Sequence, residues 1–239
     1  MPRIFITGDV HGSLELKKLS RTNFPLGKQL TKEDIMIICG DAAFNWDLSN
    51  ETLWWQLWTQ ELPFTVVSVL GNHENYTAIR QLPTEIWHGG IVRKVRPHIM
   101  YLENGEIFTI NGHSFFVQGG ATSIDRAHRI EGKSWWPEEI PSYQEFEHAA
   151  NNLRAHNMKV DYVLSHTTSN RTIQKFDKYM PLFDPVTNFL DKFVEEEVDY
   201  KINFFGHFHM DRTIDDKHWL LYDDIIELRQ DGSITLANG

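Results

Sequence analysis

A chain of 239 residues with 41% hydrophobic and 23% charged residues has the make-up of a folded domain with a large core, not of a disordered or fibrous protein. Its 23 Lys and Arg against 33 Asp and Glu leave a net charge of −10, which removes the basic footprint expected of a nonspecific binder of long nucleic acids. The lone cysteine, Cys39, allows no internal disulfide, no apolar run of about 18 residues offers a membrane span, and no signal segment precedes the first strand, so the expectation is a single cytoplasmic domain over residues 1–239.

In chain order, the first predicted strand is Ile4–Thr7, and it runs into Gly8-Asp9-Val10-His11-Gly12. A second, Ile35–Cys39, runs into Gly40-Asp41, with Cys39 expected to be a buried small hydrophobe. A helix is predicted from Asn50, a plausible N-cap, with Trp54 and Trp58 sharing a face toward a sheet. The strand Thr65–Leu70 leads into Gly71-Asn72-His73-Glu74, and Ser114–Gln118 leads into a Gly119-Gly120 turn. Tyr143–His156 reads as a helix, Tyr162–Leu164 as a strand ending in Ser165-His166, and Pro185–Glu197 as a helix closing on a solvated acidic face. Ile202–Phe205 is the strand before Gly206-His207-Phe208-His209. Short tail strands at Trp219–Tyr222, Ile225–Leu228 and Ser233–Leu236 suggest an antiparallel extension of one sheet.

Five of these strands end in Asp, His or Asn, the oxygen and nitrogen donors that suit divalent transition metals. In α/β proteins ligands gather outside the carboxyl ends of strands, so motifs from distant parts of the chain can meet in one crevice. Glycine precedes four of the five donor groups, where the chain must turn sharply and approach other atoms without a Cβ. Any one Gly-Asp pair is an ordinary turn, and His207 with His209 alone is a pair of strand-end histidines. Jointly the motifs read as a metal site. The remaining histidines, at 88, 98, 113, 128, 148, 156 and 218, lack such a context and read as surface or packing residues.

The ordered set GDxHG, GD, GNH[DE], a strand-end His and GHxH, running from Gly8 to His209, resembles the calcineurin-like metallophosphoesterases. The resemblance implies a four-layer α/β/β/α sandwich of two mixed sheets flanked by helices, carrying two divalent transition metal ions, with Mn, Fe or Zn favoured by the imidazole-rich donor set. It implies that Asp9, His11 and His209 hold one ion, that Asn72, His166 and His207 hold the other, and that Asp41 bridges both. His73 would stand beside the ions as a catalytic group, with Asn72 and Asp41 sharing in the chemistry. Those roles suit the residues: two ions about 4 Å apart clamp the attacking and leaving oxygens at phosphorus, and His titrates near neutrality, as protonation of a leaving group requires.

One departure stands out. Many relatives continue the second motif as GDxxDRG, supplying an Asp that orients the catalytic His and an Arg that grips phosphate. Here Phe44 and Asn45 occupy those places, leaving Asn45, Asp47 or Glu74 to orient His73. For phosphate or substrate contact the sequence offers Asn45, and Arg126 or Arg129 in the loop after Gly119-Gly120, against the plainer reading of solvated arginines. Trp135-Trp136 could stack a base or act as an interface or local hydrophobic staple. The leading expectation is a hydrolase of a small phosphomonoester, nucleotide or dinucleoside polyphosphate. A phosphodiesterase, nuclease or protein phosphatase with the same centre is the alternative, and a non-catalytic scaffold of the same fold is the third reading. No long nucleic acid and no membrane is expected as a partner, and the sequence specifies no oligomeric state.

Overall fold

The computed structural model describes residues 2–12, 15–179 and 184–238. In chain order its strands are β1 (Ile4–Thr7), β2 (Ile35–Ile38), β3 (Thr65–Ser68), β4 (Thr84–Trp87), β5 (Gly90–Arg96), β6 (Ile99–Leu102) and β7 (Ile107–Ile110). They continue with β8 (His113–Gln118), β9 (Tyr162–Ser165), β10 (Ile202–Phe205), β11 (Arg212–Asp215), β12 (His218–Leu220), β13 (Ile225–Leu228) and β14 (Ile234–Leu236). Eight form one sheet in the order β14-β13-β1-β2-β3-β6-β5-β4, and six form the other in the order β11-β12-β10-β9-β8-β7. Both sheets are mixed, with β1, β2, β3 and β6 parallel in the first and β8, β9, β10 and β12 parallel in the second.

Alternation along the central strands explains the layering, because successive side chains of a strand point to opposite faces. Ile4, Ile6, Ile35, Ile37 and Val67 face inward and meet Phe115, Val117, Leu164 and Phe204 of the second sheet in one buried cluster. Their neighbours Phe5, Met36, Ile38 and Val66 face outward, toward Phe24, Phe64 and Trp55. On the far side Phe116 and Val163 pack against Ala149 and Leu153 of a helix and against Val186, Leu190 and Val194 of another. The result is the four-layer α/β/β/α sandwich. Each fully buried large side chain contributes roughly 1.5–3 kcal/mol, so the cluster between the sheets fixes one on the other and the two outer clusters fix the flanking layers.

Helix α1 (Asn50–Gln60) is capped by Ser49, whose hydroxyl accepts from Thr52 N, so the cap lies one residue before the one expected. Its inward stripe is Trp55 with Trp58, at i, i+3, their rings edge to face at 6.3 Å, while Trp54 is 55% exposed. Helix α2 (Tyr76–Ile79) is one turn, and α3 (Tyr143–Ala155) opens with a capping box between Ser142 and Glu145. After α4 (Asn170–Phe176), the predicted helix Pro185–Glu197 is interrupted: α5 (Pro185–Phe189) passes into a π turn over Leu190–Val194 before a last turn, α6 (Glu195–Glu197). Glu195 is not part of a solvated face, because its carboxylate turns inward to His218 Nε2 at 2.7 Å. His218 is therefore neither a surface nor a simple packing residue: its Nδ1 also lies 2.7 Å from Asp215 Oδ1.

The tail does not extend one sheet as expected. Strand β12 pairs parallel with β10 in the second sheet, whereas β13 pairs antiparallel with β1 and β14 with β13 in the first. The connection over residues 221–224 therefore crosses from one sheet to the other beside the carboxyl end of β1.

Candidate metal centre

Register delivers the motifs to one edge. Thr7 of β1 stands beside Ile38 of β2, which stands beside Ser68 of β3, and Gln118 of β8 stands beside Ser165 of β9. The turns after these parallel strands and after β10 carry Asp9, His11, Asp41, Asn72, His73, His166, His207 and His209 to a common crevice. The first two loops are tied together, with Val10 N and His11 N both donating to Asp41 O, at 3.2 and 2.8 Å.

Close approach explains two of the glycines. A Cβ on Gly71 would lie 2.0 Å from Asp41 Oδ1, and one on Gly206 would lie 2.1 Å from Asp9 Oδ1. No other residue lets the backbone pass so near the carboxylates. The donor residues also carry backbone strain: His11, Asp41, His207 and His209 have φ of 41°, 52°, 71° and 49°, a left-handed conformation that non-glycine residues adopt rarely and that clusters at functional sites.

Each carboxylate is held at one oxygen by a backbone N–H and turns the other toward the imidazoles. Asp9 Oδ1 accepts from His207 N at 2.8 Å and Asp41 Oδ1 from His73 N at 2.7 Å. Asp41 Oδ2 then lies 3.2 Å from His11 Nε2 and 3.5 Å from His166 Nε2. Asp9 Oδ2 lies 3.2 Å from His209 Nε2 and 3.9 Å from His11 Nε2, yet it is buried with no hydrogen-bond partner among the described residues. The donor atoms of Asp9, His11 and His209 come within 4.8 Å of one another, as do those of Asp9, Asp41 and His166 and those of His11, Asp41 and His73. Burial opposes the negative charge on Asp41, but the surrounding His166, His11 and His73 hold its carboxyl well below the usual range.

His166 and Asn72 make the strongest case for a cation. His166 Nδ1 is 2.9 Å from Cys39 O, which can only accept, so Nδ1 carries a proton and Nε2 is the nitrogen turned to the site. Asn72 Nδ2 donates to Ser123 Oγ at 3.0 Å, which turns Asn72 Oδ1 toward His166 Nε2 at 2.8 Å. An imidazole nitrogen and an amide oxygen, both metal donors, thus converge on one point of a buried site. His207 joins them, its ring 4.9 Å from that of His166, and burial, with the neighbouring His166 adding to it, pushes its pKa down to about 3, so its ring is neutral and open to a metal. The buried unpartnered oxygen of Asp9 and this facing pair fit the expected ions. Ser123 and Glu139 went unnoticed in the sequence: Ser123 Oγ donates to Glu139 Oε2 at 2.6 Å, and that bond fixes the hydroxyl that orients Asn72.

Around this cluster the expected helpers sort themselves. Arg129 Nη1 lies 2.9 Å from His73 Nδ1 and Nη2 lies 3.1 Å from Nε2, while Asp125 at 2.7 Å and Ser134 O at 3.1 Å hold the guanidinium in place. Burial lowers the pKa of His73, and the charge of Arg129 adds to that. Arg126 is exposed on the 3₁₀ turn Arg126–His128 and does not line the crevice. Asn45 is buried, also outside the lining, with its Oδ1 unpartnered among the described residues. Neither Asp47 nor Glu74 orients His73. Asp47 accepts from Thr52 Oγ1 at 2.6 Å, and Glu74 accepts from Ala42 N at 3.0 Å and Tyr101 OH at 2.8 Å, bracing the Asp41 loop from below. Trp136 is a core residue packed edge to face on Trp46, and it is Trp46 that lines the crevice, 5.7 Å from the His73 ring. Beside the metal cluster lies a cavity of about 510 Å³ bounded by His11, Trp46, His73, Asp125, Arg129 and His209.

The profile of the calcineurin-like phosphoesterase family matches residues 2–211. The chain belongs to that family, and the membership makes it a metal-dependent phosphoesterase. No curated protein sequence matches it significantly. One solved structure aligns over 99% of this chain and 98% of its own at 11% identity, with a TM-score of 0.52, and shares the fold. A phosphopantetheinyl hydrolase from Mycobacterium tuberculosis aligns over 92% of this chain and 88% of its own at 17% identity, with a TM-score of 0.42. A cold-active protein-tyrosine phosphatase from a psychrophilic Shewanella species aligns over 99% and 80% at 14% identity, with a TM-score of 0.39. At that distance neither bears on the substrate of this chain. No helix among the described residues is long and apolar enough to cross a membrane.

Proposed function

We propose that the chain is a single-domain cytoplasmic hydrolase with a dinuclear centre, acting on a small phosphomonoester, nucleotide or dinucleoside polyphosphate. The observation that carries this reading is the position of Asp41 Oδ2, 3.2 Å from His11 Nε2 and 3.5 Å from His166 Nε2, between the donor set Asp9, His11, His209 and the donor set Asn72, His166, His207. Two divalent transition ions held there, Mn, Fe or Zn, supply Lewis-acid polarisation of the phosphoryl group and acidify the attacking water.

The chain's own residues do the rest. Asp41 sets a negative charge between the two positions and Asn72 offers a neutral amide oxygen. Arg129 presents a guanidinium at the mouth, with the N–H that His73 cannot accept left to donate to a phosphoryl oxygen. His73 is the candidate acid for the leaving group, and its guanidinium neighbour argues against its being a ligand, since a cation already lies along both ring nitrogens. An arriving phosphate offsets the charge of Arg129 and favours a proton on His73, ready for the departing alkoxide. The net charge of −10 sets a small anion drawn to a local cationic centre above a long polyanion as substrate. The deciding experiment combines metal analysis with hydrolysis of a chromogenic monoester, a chromogenic diester and a dinucleoside polyphosphate. Protein that holds metal and cleaves none of the three would sink the catalytic reading in favour of a scaffold.

A further inference from the structure

His11 and His209 are held from behind by residues that belong to none of the motifs. His11 Nδ1 lies 3.2 Å from Glu15 Oε2, and the other oxygen of that carboxylate accepts from Tyr222 OH at 2.9 Å. The Tyr222 ring lies flat on the imidazole of His209, with centroids 4.8 Å apart and planes 14° from parallel. Tyr222 is itself fixed at both ends. Its backbone N donates to Asp211 Oδ1 at 2.7 Å, and its carbonyl accepts from the ammonium of Lys18. Lys18 is only 6% exposed and donates as well to the carbonyls of Gly8 and Asp9. A buried ammonium is costly unless its donors are met, and here backbone oxygens meet them, so Lys18 ties the loop that bears Asp9 to the loop that bears Tyr222. Tyr222 lies outside the family-matched residues 2–211, in the crossing between the two sheets.

We propose that Glu15 and Tyr222 are positioning residues for one half of the centre, fixing the rings of His11 and His209 and making the segment after the family-matched region part of that metal site. The inference rests on the metal-centre reading above. A carboxylate that takes the Nδ1 proton leaves Nε2 as the nitrogen that turns to a metal and gives up its proton to it, and His11 Nε2 points to Asp41 and Asp9. The phenol holds the second carboxylate oxygen, so Glu15 cannot swing away without losing both partners. His209 needs such help because its side chain is 49% exposed, and among the described contacts the Tyr222 ring is the one that lies flat against it.

Calorimetric titration of the metal-free protein with Mn²⁺, checked by the paramagnetic resonance spectrum of the bound ion, tests this in Tyr222→Ala, Tyr222→Phe and Glu15→Gln. The expected result is that Tyr222→Ala and Glu15→Gln each weaken one of two sites by roughly 10- to 100-fold and leave the other unchanged. Tyr222→Phe keeps the stack and should lose less than Tyr222→Ala. Should Tyr222→Ala not fold, Glu15→Gln carries the test alone. Unchanged affinity at both sites in the folded variants, or equal weakening of both, overturns the assignment. Wild-type protein that takes up no Mn²⁺ would overturn the metal-centre reading itself, and this inference with it.

Discussion

The guanidinium of Arg129 runs along the edge of the His73 imidazole, Nη1 at 2.9 Å from Nδ1 and Nη2 at 3.1 Å from Nε2. A neutral imidazole has one lone pair in its ring plane, so it can accept from only one of these donors. The pair is therefore incomplete by itself and is satisfied when an anion takes the second donor. Arg129→Ala should cost roughly 10- to 100-fold in kcat/KM, the scale of a charge-assisted hydrogen bond to phosphate, with metal content unchanged. Arg129→Lys should recover part of the loss at best, because a point charge cannot reproduce the fork. Steady-state kinetics beside metal analysis checks this, and a loss of metal in Arg129→Ala would show the residue to be structural.

His73 separates catalysis from metal binding. If it is the proton donor and not a ligand, His73→Gln keeps both metals and the fold but loses roughly 10²–10⁴-fold in kcat on esters whose leaving group needs a proton. A nitrophenolate leaves without one, so the loss there should be smaller. Equal losses on activated and unactivated esters would reassign His73 to phosphate binding or water positioning. Metal lost in the variant would make it a ligand.

The donors were legible in the sequence because each is a local event: a short apolar strand, a glycine in every case but Ser165-His166, then Asp, His or Asn. Their meeting place followed from the rule that parallel strands present their carboxyl ends together. What stayed hidden depends on contacts between remote segments. Asn72 meets Ser123 across 51 residues, Arg129 meets His73 across 56, and Tyr222 meets Glu15 across 207. No local pattern encodes such pairs. The strand β4 was missed for another reason: three of its four residues are exposed, so the burial signal that marks β1 or β9 is absent. The π turn over Leu190–Val194 preserves an apolar helical stripe, with Leu190 and Val194 buried, and so reads as continuous helix.

Asp41 is the donor whose loss should strip the site most completely. Its Oδ2 faces both histidine groups and its Oδ1 holds His73 N at 2.7 Å. Asp41→Asn keeps the shape but removes the negative charge between two cations and turns one oxygen into a donor. Bound metal per chain, measured across alanine or amide variants of all seven donors, should be lowest in Asp41→Asn. Near wild-type occupancy of both sites in that variant would remove the bridge.

Protons should compete with metal at His11 far more than at His207. Burial opposes a charge on His11, but the hydrogen bond to Asp41 and the charges of Asp41, Asp9 and Glu15 override it and push its pKa up to about 9. His207, pushed down to about 3 by burial and by His166, is neutral throughout the working range. A metal-bound imidazole must be neutral. Because the His11 pKa is raised, the metal-free ring is cationic below about 9, so metal entering at pH 7 must displace that proton, and metal entering above about 9 need not. Affinity at the His11 site should then rise by about one log unit per pH unit from neutrality and level off near 9, the slope of a single linked proton. Titration with Mn²⁺ in buffers of different ionisation enthalpy measures the release directly: about one proton at pH 7 and close to none at pH 10. Metal uptake at pH 7 with no proton released would mean that His11 is already neutral, and that the carboxylates around it are not charged as the geometry requires.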